Sequence, residues 1–291
     1  MSTKNEASGD TELRAQSPPP SSPTTHTPVE QPSESSAGVL SHVPTPHQKT
    51  MQVNHLTFSS EFDSGNLKKV KYDDRSSEYH LYQARDAEDT VHEAPYTTWF
   101  HFSVKDAKPN QLVHFVIMNM NKQNRLYKQD YRPFYKVVPN DNVADPTLPA
   151  YNNWQRLPTP VNVKPTQGQN LMQMKFKFKF DPHFLKQFGQ PMAQESGEGS
   201  VSNCNFTVYF AFCYPQSYTD SQRALLKIDA SAASLASRDV YYHREVLTHS
   251  IDKRRIDMLT ISNFEAKLEH RDETFDFTPA FKGELLCVWC L

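Results

Sequence analysis

Glycine is scarce in this sequence, eight in 291 residues. No G-x-x-x-x-G-K, G-x-G-x-x-G or G-x-S-x-G occurs, so neither a glycine loop that cradles phosphate nor a nucleophile elbow is expected. Cysteine is scarcer still, at four, too few for the disulfide framework of a small secreted domain. Neither charge sign dominates: 31 basic residues stand against 33 acidic ones, so no global field points to nucleic acid. No apolar run approaches 18 residues, which argues against a membrane-spanning helix. The first residues, MSTKNEASGDTELR, lack the apolar core of a signal peptide. These absences predict a protein of the cytoplasm, with the nucleus as a further location.

The first 50 residues contain no Phe, Tyr or Trp, yet hold eight of the 21 prolines. Such a stretch buries too little apolar surface to offset its ordering entropy. Residues 1–55 are therefore expected to be a Pro/Ser/Thr-rich disordered tail. Its Ser-Pro and Thr-Pro pairs, Thr45-Pro46 among them, suit proline-directed phosphorylation but are common in any such spacer.

Beyond residue 55 the pattern acquires period two. TTWFHFSV sets Phe100, Phe102 and Val104 on one face and Trp99, His101 and Ser103 on the other. QLVHFVIM is nearly all apolar, as in a strand covered on both faces. LMQMKFKFKF places Met172, Met174, Phe176, Phe178 and Phe180 opposite Gln173, Lys175, Lys177 and Lys179. NFTVYFAFCY repeats the alternation through Phe206, Val208, Phe210 and Phe212. Turn-rich stretches such as Asp63-Ser64-Gly65-Asn66 separate these runs. The prediction is a mainly β chain: an antiparallel β-sandwich over residues 56–216. The period then changes. Thr219 and Gln222 have capping-box spacing before the helix formers of SQRALLKIDA, so residues 217–239 are expected to be a helix and connector. VYYHREVLTHS and RRIDMLTIS follow as two strands about a turn at 251–254. Residues 240–291 would be the incomplete start of a second domain.

Three constellations suggest chemistry. Cys287 and Cys290 form a C-x-x-C pair, but a zinc site needs four ligands. Cys204 and Cys213, an odd number apart in one expected strand, point to opposite faces. His270 and Glu273 have zinc-dyad spacing, but no well-placed third ligand follows and the run EHRDE is charged throughout, so a solvated loop is the better reading. The Lys175, Lys177, Lys179 row could bind nucleic acid only if rings shared its face, and the alternation puts them opposite. A bare lysine row suits an acidic protein partner better, so these three are candidate contacts for one.

Several segments together resemble the cytosolic carboxypeptidases: FSSEFDSGNL (58–67), TWFHFSV (98–104), IMNMNKQNRLY (117–127), YFAFCYPQSYTD (209–220) and VYYHREVLTHSIDKRRIDMLTIS (240–262). The resemblance covers about residues 56–283. It implies a β-sandwich N-domain packed on an α/β zinc metallocarboxypeptidase domain. It also implies glutamate removal from proteins, glutamylated tubulin foremost, with zinc polarising the scissile carbonyl and a glutamate as general base. The family's His-Pro-Gly-Glu motif, source of its first two zinc ligands, is not in this sequence, where Phe281-Lys282-Gly283 leads instead to ELLCVWCL. No catalytic or metal residue therefore carries over, and zinc belongs to the expectation for the full-length family alone. The chain is expected to be non-catalytic by itself. The alternative is a binding or regulatory sandwich that docks acidic tails without chemistry, with no nucleic-acid or membrane partner. Asp130 stands where the family usually has Gly, and Gln216 where it usually has an aromatic residue.

Overall fold

The computed structural model describes residues 46–140, 153–166, 170–188, 203–264, 267–271 and 279–281. The pairs Cys287/Cys290 and His270/Glu273, and most of the amino-terminal tail, lie wholly or partly outside them. Two sheets face each other. The first contains β1 (Thr50–Val53), β2 (Leu56–Ser59), β5 (His101–Lys105), β7 (Phe134–Pro139), β8 (Gln155–Arg156) and β11 (Phe206–Ala211), in the order β1-β2-β5-β11-β7-β8. The second contains β3 (Lys69–Asp73), β4 (Glu78–Tyr82), β6 (Leu112–Asn121), β9 (Asn162–Pro165) and β10 (Leu171–Lys179), in the order β3-β4-β6-β10-β9. All pairs are antiparallel except β4 with β6, which run parallel because β5 crosses to the opposite sheet between them.

The alternating residues build the core as their period demands. Phe58, Phe102, Phe115, Phe176, Phe178 and Phe210 meet between the sheets, with ring centroids 5.1–6.3 Å apart. Each such buried ring contributes roughly 1.5–3 kcal/mol. Three expectations are corrected. The sheet starts at Thr50, inside the stretch assigned to the tail, because Met51 and Val53 pack against the core from an otherwise polar edge strand. His101 and Ser103 are buried rather than solvent-facing: Phe62, Trp99, Trp154 and Tyr209 cover His101 from outside. In β6, by contrast, Leu112 is exposed and His114 half-buried, so that strand is only partly covered on its second face.

The loop from Phe62 to Asn66 is tied from every side. A β-carbon on Gly65 would lie 2.1 Å from the Ser60 carbonyl oxygen, so only glycine fits there. Trp99 Nε1 donates to the Ser64 carbonyl at 2.7 Å, and Gln48 Nε2 donates to the carbonyls of Phe62 and Gly65. Asn66 bridges the backbones of Ala84 and Trp99. Asp130 takes φ 56°, so the left-handed turn expected there forms with Asp in place.

Helix α2 (Tyr218–Ala230) follows β11, after the short α1 (Asn124–Lys128) earlier in the chain. Its N-cap is Ser217, not Thr219. The Asp220 amide donates to Ser217 Oγ, and the Ser217 amide donates back to the Asp220 carboxylate. The capping box is thus present two residues upstream of its expected place, with Asp in the usual Glu/Gln role. After the short α3 (Ala232–Ala236), β12 (Val240–His249) and β13 (Arg255–Asn263) form an antiparallel hairpin. A second two-stranded ladder pairs β14 (Lys267–Arg271) with β15 (Pro279–Phe281).

Candidate functional site

Lys175, Lys177 and Lys179 stand on the outer face of the second sheet, all exposed, as the period of β10 requires. Register then decides their neighbours. Opposite Lys175 lies Val116, opposite Lys177 lies His114, and on the other side Gln173 faces Lys164. The parallel pairing places Glu78 beside His114. Together these side chains line a groove of about 440 Å3 in which Glu78 is the only carboxylate. The groove crosses from β4 to β9, three strand spacings or roughly 14 Å.

The lysines are not equivalent. Lys175 pairs with Glu78. Burial works to raise the Glu78 pKa, but the Lys175 ammonium outweighs it and holds the carboxyl below its ordinary value. Lys179 stands 3.8 Å from Asp181 and lies outside the groove lining. Lys164 and Lys177 make no ion pair among the described residues. The structure therefore brings Lys175 and Lys177 together, sets Lys179 apart, and adds Lys164 and His114, which sequence reasoning missed. The N-V-K-P run of β9 carried the Lys164 signal in its alternation, but only the sheet order places it next to Gln173.

Two further charged clusters join the helix and hairpin to the sandwich. Asp63 accepts the Thr219 amide at 2.8 Å and Arg254 Nη1 at 3.1 Å, while that guanidinium lies over the Tyr218 ring. Burial raises the Asp63 pKa, and these donors outweigh it, so the carboxyl stays below the usual range. Deeper, Arg244 bridges Asp229 and Asp257 at 2.8 and 3.0 Å, and Gln222 donates to Asp257 at 2.7 Å. Asp257 is fully buried, so this is a structural charge network rather than a solvent-facing site.

Among the described residues no group of three or more His, Cys, Asp or Glu side chains converges as metal ligands would. Cys204 and Cys213 flank β11 instead of sharing it, and both are free. Burial pushes the Cys204 thiol up to about 11 and raises that of Cys213, which opposes the thiolate form that zinc takes. The described residues thus do not fit the zinc ion implied by the resemblance.

Residues 58–182 match the family profile of the cytosolic carboxypeptidase N-terminal domain. The chain is 31% identical over 250 residues to cytosolic carboxypeptidase-like protein 5 of Danio rerio, covering 78% of this chain and 25% of that protein. It is 32% identical over 246 residues to the Homo sapiens protein of that name, covering 75% and 24%. To cytosolic carboxypeptidase 6 of Homo sapiens it is 31% identical over 226 residues, covering 76% and 36%. The chain thus spans about a quarter to a third of the length of these relatives. Among solved structures, a putative carboxypeptidase A from Shewanella denitrificans aligns with TM-score 0.41 and 14% identity, over 72% of this chain and 40% of that one. A metallo-carboxypeptidase from Burkholderia cenocepacia aligns with TM-score 0.40 and 14% identity, over 74% and 42%.

Proposed function

Since this chain belongs to the cytosolic carboxypeptidase family through its N-terminal domain, we propose that its sandwich holds the acidic protein tail on which a deglutamylating metallocarboxypeptidase acts, in the cytoplasm, with glutamylated tubulin as the leading partner. One observation carries the reading: strand register sets Lys164, Lys175 and Lys177 around a single groove with one lining carboxylate. An extended run of glutamates advances about 3.3 Å per residue, so four or five of them cross that groove. Lys164 and Lys177 meet the carboxylates directly. Lys175 is shared between the incoming chain and Glu78. No hydrolytic step is assigned to the described residues, because they supply no zinc-binding set.

The test is fluorescence anisotropy with a labelled ten-glutamate peptide at low ionic strength. The variant Lys164→Glu/Lys177→Glu is expected to bind at least about tenfold more weakly, with an unchanged melting temperature, since both residues are exposed. Equal affinity for both proteins would refute the docking role. Mass spectrometry of the same peptide, incubated with the chain and zinc, separates the two functional readings. An intact peptide assigns docking alone; a shortened one assigns hydrolysis to this chain.

A further inference from the structure

At the other edge of the second sheet, β3 and β4 border a separate pocket of about 330 Å3. Its charged lining is Lys68, Lys69, Lys71 and Arg85 against a single carboxylate, Glu88. Four cations against Glu88 and the Glu93 that Arg85 pairs with leave two positive charges, those of Lys69 and Lys71. Glu88 Oε1 pairs with Lys68 at 2.7 Å, its Oε2 lies 3.3 Å from His47 Nε2, and Arg85 gives one N–H to Glu93 at 2.8 Å. Lys69 and Lys71 are exposed and make no ion pair among the described residues. Gln83 lines the same pocket at 2% exposure. Its backbone is fixed by Asn119, whose side chain accepts the Gln83 amide and donates to its carbonyl. Yet both the carboxamide nitrogen and oxygen of Gln83 are buried without a hydrogen-bond partner. A buried polar group left unpaired is destabilising, and a carboxamide in the wall of a cationic pocket is a donor and acceptor that a ligand there would satisfy.

A second chamber of about 410 Å3, which shares Arg85 and Asn119 with the first, is lined by Pro95, Tyr96, Thr97 and Asn121. Tyr96 is 58% exposed there. One chamber is cationic and the other combines a ring with amides. Both fall within the size of small-molecule sites.

We propose that this two-chambered cleft binds a small phosphate monoester. The phosphate lies between Lys69, Lys71 and Arg85, with the Gln83 amide donating to it, and the organic group rests against Tyr96. A dianion matches the surplus of two positive charges better than a lone carboxylate does, and a guanidinium beside ammoniums is the donor set that phosphate favours. None of these residues lines the acidic-tail groove, so either site can fail alone.

The experiment follows the side-chain amide signals of Gln83 by NMR in the full chain at constant ionic strength, with inorganic phosphate, AMP and adenosine as probes. Phosphate and AMP are expected to shift them, AMP at lower concentration, and adenosine to leave them unmoved. Lys69→Gln/Lys71→Gln should raise the AMP dissociation constant about tenfold or more. Gln83→Leu, which removes the unpaired amide without needing a partner, should fold and lose AMP binding when followed through the Tyr96 signals. Absent shifts with both phosphate and AMP, equal shifts with adenosine, or undiminished AMP binding in either variant would overturn the proposal.

Discussion

His101 is the residue whose environment departs furthest from its chemistry. Its Nδ1 meets Ser64 Oγ at 3.0 Å, while its Nε2 is buried without a partner among the described residues. Burial, helped by the nearby Lys136 ammonium and opposed by Asp63, pushes its pKa down to about 3 from 6.5. The folded protein therefore keeps it neutral where the unfolded chain protonates it. Between pH 6.5 and 3 the unfolded state binds the extra proton, so stability falls as pH falls through that window. The slope reaches about 1.4 kcal/mol per pH unit from this group alone. Urea unfolding midpoints across the window should show that slope, and His101→Phe should flatten it while keeping the ring among Phe62, Trp99 and Tyr209. An unchanged slope in the variant would show that His101 is already charged in the fold. Lys136 shares this surroundings: burial lowers its pKa, partly offset by Asp220, and its ammonium lies over the rings of Trp154 and Tyr209.

Among the elements, the hairpin β12–β13 depends on helix α2 through buried charge. Arg244 is the hub, and Asp257 beneath it is fully buried. Burial works to raise the Asp257 pKa, and Arg244 with Gln222 reverses this. Arg244→Ala leaves the buried Asp257 carboxylate with only Gln222 and the exposed Arg255, and is expected to cost about 1.5–3 kcal/mol locally. Hydrogen exchange should report it as lost protection in β12 and β13, with the sandwich amides unaffected; protection retained in the hairpin would contradict the role. This network was not legible in the sequence, because Gln222 and Asp229 lie on α2 while Arg244 and Asp257 lie on β12 and β13, and period reveals only which side of its own element a residue takes. The strands of the core were legible for the opposite reason. Met172 to Phe180 alternate without a break, and alternation is a local property. His101 obeyed the same alternation and still became buried, because what covers a strand's outer face is decided by distant residues such as Trp154 and Tyr209. The helix start was displaced for a smaller reason: Ser217 precedes the spacing expected of Thr219, and Asp220 supplies the return bond.

At the scale of the molecule, the outer face of the second sheet gathers positive charge. Six exposed lysines, Lys69, Lys71, Lys164, Lys175, Lys177 and Lys179, stand on or beside it, although the whole chain carries a formal charge of −2. The sequence showed three of them as a row; sheet order gathers the rest. Exposed charges act within a Debye length of about 10 Å at 0.1 M salt, so binding there must weaken as salt rises. The most direct measurement is an NMR titration of the lysine ammonium signals with a ten-glutamate peptide, at two ionic strengths. The account predicts that Lys164, Lys175 and Lys177 shift together with one dissociation constant, and that the constant rises with salt. Shifts confined to the first sheet, or lysine signals that never move, would contradict it.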